Sequence, residues 1–151
     1  MKKLHILAVA LVALTTHIAL AQEVSDKTLY LHGFRSPSIG LEYRSGSVGV
    51  HAGLYTTILG KGEKSTEFVK GGATGYWKGF LGPRFESFGG VSYVRGQNRE
   101  YRKKDGLFIE QGFVYDLGKN FEFRLGTGIL LAKGFKAKVN PTVGFSYRFK
   151  M

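Results

Sequence analysis

The sequence has no cysteine, so no disulfide framework can staple the fold. It has only 3 prolines against 22 glycines, which makes it glycine-rich without being low-complexity. Acidic residues are also scarce: 11, against 22 lysines and arginines. After the first twenty residues no apolar run approaches the roughly 20 residues that a helical membrane span requires. Any residence in a membrane would therefore have to be as a closed barrel, in which every backbone group finds a partner. No cluster of side chains has metal-ligand spacing and no glycine motif suits a phosphate, so neither metal nor cofactor is expected.

What is present begins with Lys2 and Lys3 ahead of an apolar stretch from Ile6 to Leu14. Thr15, Thr16 and His17 interrupt it, and Ile18 to Leu20 leads to Ala19-Leu20-Ala21, a small-x-small pattern before Gln22. A basic start, a short apolar core and such a site together predict a cleavable secretory signal over residues 1–21. No cysteine follows, so a lipid anchor is not expected. A short segment, 22–27, then leads into a single domain, 28–151.

From Thr28 onward the hydrophobic pattern has period two. Val143, Phe145, Tyr147 and Phe149 share one face; Thr142, Gly144, Ser146 and Arg148 share the other. Phe121, Phe123, Leu125, Ile129 and Leu131 oppose Glu122, Arg124, Gly126 and Gly128. The same alternation sets Leu107, Ile109, Phe113 and Tyr115 against Glu110, Gly112 and Asp116, with Gln111 an exception on the apolar face. Phe85, Val91 and Tyr93 oppose Arg84, Glu86, Gly90 and Ser92. Val48, Val50, Ala52, Leu54, Thr56 and Ile58 oppose Gly49, His51, Gly53 and Tyr55; Ile39, Leu41 and Tyr43 oppose Gly40, Glu42 and Arg44. Residues 67–81 carry a weaker version, with Val69, Ala73, Trp77 and Leu81 opposite Lys70 and Lys78, and Thr28 to Phe34 completes eight strands.

The connections alternate in length. Short turns are expected at Ser45-Gly46, at Leu81-Gly82-Pro83 and at Leu117-Gly118-Lys119, and longer loops at Leu59 to Thr66, Arg95 to Asp105 and Ala132 to Asn140. Only Arg35-Ser36-Pro37 is too short for a long-loop end. On the apolar face, Tyr43, Trp77, Phe85, Tyr115, Phe121, Tyr147 and Phe149 gather towards the short turns. Such a girdle, with tight turns at one end and long loops at the other, suits a barrel that turns its apolar face to lipid. A soluble barrel would bury that face.

On these features residues 28–151 resemble the small outer-membrane barrels of the OmpA transmembrane-domain and OmpX type. The last strand, Val143-Gly144-Phe145-Ser146-Tyr147-Arg148-Phe149, is similar to the C-terminal signal read by the barrel-assembly machinery, although Lys150 and Met151 follow the final aromatic residue. The resemblance implies an all-β, eight-stranded antiparallel up-and-down transmembrane barrel in the outer membrane of a Gram-negative bacterium. A monomer is expected.

Eight strands enclose only enough room for their own side chains, and a wide diffusion pore needs about 16. The lumen is expected to hold Glu42, Lys70, Arg84, Glu86, Glu110, Glu122, Arg124 and Arg148, opposite charges paired because a lone buried charge is costly. A narrow gated channel would need those pairs to rearrange. A lipid A-modifying acyltransferase or deacylase is the other alternative, and its raw material is His32 at the outer end of the first strand with Ser36 or Ser38 nearby. His51 points into the lumen, nearer the short turns. The long loops are basic: Lys61 and Lys64; Arg95, Arg99, Arg102, Lys103 and Lys104; Lys133, Lys136 and Lys138. Their expected partner is lipopolysaccharide or another polyanion at the cell surface, with attraction decaying over about 8 Å at physiological salt. Nucleic acid would suit the charge but not the compartment.

Overall fold

Alternating β-branched, aromatic and small residues favour extended chain, since each pleated strand can then bury one face and expose the other. The computed structural model describes residues 27–33, 39–57, 65–78 and 81–150. It contains β1 (Lys27–Gly33), β2 (Ile39–Ser45), β3 (Val48–Thr57), β4 (Thr66–Lys78), β5 (Phe85–Gly96), β6 (Asp105–Gly118), β7 (Phe121–Ala132) and β8 (Lys138–Lys150). Each strand pairs antiparallel with the next and β1 pairs with β8, closing an eight-stranded barrel that leaves no open sheet edge. Among the described residues there is no α-helix, and one 3-10 turn, Arg99–Tyr101, sits between β5 and β6. The expected signal segment, Ser36, Ser38, Lys61 and Lys64 lie outside the described residues.

Two of the three short connections are two-residue turns shifted slightly from their expected positions, and the third, expected at Leu81-Gly82-Pro83, is longer, running over 79–84 between β4 and β5. Ser45 pairs with Val48, so the β2–β3 turn is Gly46-Ser47 rather than Ser45-Gly46. The β6–β7 turn is Lys119-Asn120, whose φ values of 48° and 69° are those of the hairpin turn that matches strand twist. Lys27, placed before the domain from sequence, is the first residue of β1 and pairs with Ser45.

The apolar face points out. A single ladder row runs Leu29, Tyr43, Val50, Ala73, Val91, Ile109, Ile129 and Val139 through all eight strands without a polar residue. Exposed large apolar side chains occur on every strand. Near the short turns a second outward row, Phe85–Tyr115–Phe123–Phe145, is wholly aromatic. Ring centroids are 4.7 Å apart for Phe85 and Tyr115, and 5.0 Å apart for Phe121 and Tyr147. Phe123 and Phe145 thus join the seven girdle residues expected from sequence, of which Tyr43 and Trp77 occupy the corresponding ends of β2 and β4.

Candidate functional site

The inward residues form three layers. Nearest the short turns, Arg44 reaches Glu86 at 3.0 Å and Glu122 at 3.8 Å, while Arg148 lies 3.9 Å from Glu122 and 3.6 Å from Asp116. Above them, Glu42 is the hub. Its carboxylate accepts from the Tyr76 hydroxyl at 2.7 Å, from Arg124 at 3.4 Å and from Arg44 Nε at 3.4 Å, and lies 3.2 Å from His32 Nε2. The two guanidinium groups also stack on aromatic faces, Arg44 over Tyr76 at 3.5 Å and Arg124 over Phe88 at 4.6 Å. Such faces suit a weakly hydrated cation that has left water. On the loop side of the same layer Lys70 and Glu110 pair directly, beside His51, which bonds Ser92 at 2.9 Å and Thr74 at 3.2 Å.

Glycine makes room for this filling. A Cβ at Gly49 would collide with the Glu42 carboxylate, and one at Gly128 would enter the Phe108 ring. Both positions face inward, where bulky fillers from opposite walls compete for the little space that eight strands enclose.

The third layer, towards the long loops, is apolar: Tyr55, Phe68, Val94, Tyr101, Phe108, Leu130 and Ala132. Tyr101 comes from the loop, not from a strand. It is 1% exposed and stacks on Phe135 of the β7–β8 loop with ring centroids 4.1 Å apart. Backbone bonds from Gly96 and Gln97 to Lys104 and Glu67, and from Lys103 to Gly96, hold the β5–β6 loop across the mouth. Arg99 and Lys103 adopt positive φ values of 56° and 60°, a local strain of the kind that persists where surrounding contacts over-determine it.

Of the residues expected in the lumen, Glu42, Lys70, Glu86, Glu110, Glu122, Arg124 and Arg148 meet as described. Arg84 does not: it is exposed in the turn before β5, where its carbonyl accepts from the Asp116 amide. The strand starts one residue later, and position alone separates a lumen residue from a turn residue. Arg95 and Lys138 are likewise strand residues, of β5 and β8, because both strands run further than the loops assigned to them. Arg99, Arg102, Lys103, Lys104, Lys133 and Lys136 are exposed at the mouth.

His32 lies near the loop-side end of β1, as expected, but its side chain is turned inward. It is enclosed at the level of Glu42, with Nδ1 2.7 Å from Ser146 Oγ and its ring parallel to that of Tyr30. A carboxylate only accepts, so Nε2 carries the proton towards Glu42 and Nδ1 accepts from the Ser146 hydroxyl. Ser146, His32 and Glu42 thus have the order of a nucleophile, base and orienting acid, but each is only 1–2% exposed. Nucleophilic attack needs a reacting atom about 3 Å from the hydroxyl, and Ser146 is closed off from solvent.

Sequence reasoning missed the inward aromatics Tyr30, Phe68, Tyr76, Phe88 and Phe108. Their signal was available, since each shares strand parity with a charged or small inward residue. Tyr101 had no such signal. Compared with protein-family models, with curated proteins and with solved structures, the chain matches none.

Proposed function

We propose that this chain is a bacterial outer-membrane β-barrel of the OmpA transmembrane-domain and OmpX kind, with a structural or surface-binding role. In that role its basic outer loops contact lipopolysaccharide or other polyanions. The observation that carries the reading is the inversion of faces. An unbroken apolar belt stands exposed around the barrel while ion pairs fill its inside, and contiguous exposed apolar surface beyond a few hundred Å² marks a membrane or partner interface. The aromatic row at the short-turn end and strands such as the 14-residue β6, longer than the roughly 9–11 residues a spanning strand needs, support the same conclusion.

The packed interior suits a barrel that is its own plug. Neither the gated-channel nor the acyl-enzyme alternative gains an observation: the lumen layers are filled, and His32 faces inward. The test is fractionation of cells expressing the full chain. Expected results are recovery with outer membranes after alkaline extraction and faster gel migration of unheated than of boiled protein. Release as a soluble species would sink the reading.

A further inference from the structure

The basic residues at the mouth are not equivalent, because two of them continue outward rows of the barrel wall. Arg95 follows Val91 and Tyr93 along the outward face of β5. The Lys133 amide donates to the Asp105 carbonyl at 3.2 Å, which extends the β6–β7 ladder by one step. Lys133 therefore follows Ile129 and Leu131 on the outward face of β7. Directly beneath this cationic step lies the row Tyr93–Leu107–Leu131, all exposed. On one strip of wall, then, aliphatic and aromatic side chains give way within two residues to two cations.

Asp105 stands between them. Its carboxylate accepts from the Tyr93 hydroxyl at 2.5 Å and lies 3.9 Å from Arg95 Nε. That ion pair is long and more than half exposed on both sides, so Arg95 is only loosely engaged. Lys133 has no acidic partner among the described residues. The strip therefore keeps a net positive charge. We propose that it is a binding site for a phosphorylated, acylated lipid, with the phosphate between Arg95 and Lys133 and the acyl chain along Tyr93, Leu107 and Leu131. This rests on the outer-membrane reading. A soluble polyanion would instead meet the loop-tip residues Arg99, Arg102 and Lys103, which have no apolar wall below them in the same row.

The experiment uses the full barrel reconstituted in phosphatidylcholine vesicles doped with diphosphoryl lipid A, and native mass spectrometry to measure lipid retained on extraction into neutral detergent. Arg95→Gln and Lys133→Gln each weaken retention about fivefold, the effect of one basic group near an anionic lipid surface. Arg102→Gln changes it less than about twofold, because an exposed loop-tip charge acts on the phosphate through water, where salt weakens it. Equal retention by wild type and the double variant overturns the site while leaving the outer-membrane reading intact. So does a greater loss on Arg102→Gln, which would assign the anion to the loop tips. Wild type that does not insert at all overturns both.

Discussion

The interior has two halves filled in opposite ways. Towards the short turns it holds Arg44, Arg124 and Arg148 with Glu42, Glu86 and Glu122; towards the loops it holds a cluster of aromatic and aliphatic side chains. The charged half is specific and unforgiving, because each ion out of water depends on its partners and removal of one leaves the others unpaired. The apolar half is graded, since its members interact non-directionally and lose stability in proportion to volume. It also draws Tyr101 and Phe135 from loops, so it can loosen locally without parting the strands.

The largest effect should come from breaking the charged half at its hub. Glu42→Ala strands Arg124, which is 3.4 Å away, while Arg44 keeps Glu86 at 3.0 Å. It should cost about 3–5 kcal/mol in urea unfolding of the barrel refolded in micelles; a cost below about 1 kcal/mol would show that the hub is dispensable. Next, Gly128→Ala pushes a methyl group into the Phe108 ring. The expected loss is about 1–3 kcal/mol, and Phe108→Leu in the same chain should recover part of it. No recovery would mean that the close approach is not the cause.

Tyr101→Ala should act on the mouth alone. It removes the stack with Phe135, worth about 1 kcal/mol. Amide exchange at Gly96, Gln97, Lys103 and Lys104 should quicken about fivefold while mid-strand amides of β5 and β6 keep their protection. Uniform deprotection would show that the loop is part of the barrel's cooperative unit. The smallest effect belongs to Asp116→Asn, which breaks only a half-exposed 3.6 Å pair with Arg148. It should change the unfolding free energy by less than about 1 kcal/mol, and a loss as large as that of Glu42→Ala would remove the distinction between hub and rim.

Much of this was legible before folding. Val143 to Phe149 and Phe121 to Leu131 alternate so regularly that strand, face and inward charges could be read directly, and the structure keeps every one of those assignments. Arg84, Arg95 and Lys138 were misplaced because strand ends depend on where the last cross-strand bond forms, and periodicity carries no such signal. The placement of the β5–β6 loop was not legible at all. Tyr101 lies in a basic, polar stretch, and only the stack with Phe135 and the bond from Lys104 to its carbonyl reveal its place.

By itself the sequence determined strand count, strand parity and the separation of an apolar from a charged and small face, because the pleat makes alternation a local property of each segment. Tertiary structure alone decided which of the inward charges meet. His32 and Ser146 are 114 residues apart and Glu42 and Arg124 are 82 apart. His32 and Ser146 meet because closure of the barrel makes them register partners across the β1–β8 seam, and Glu42 of β2 meets Arg124 of β7 across the narrow lumen. Those are properties of the closed barrel, and no segment of the chain contains them.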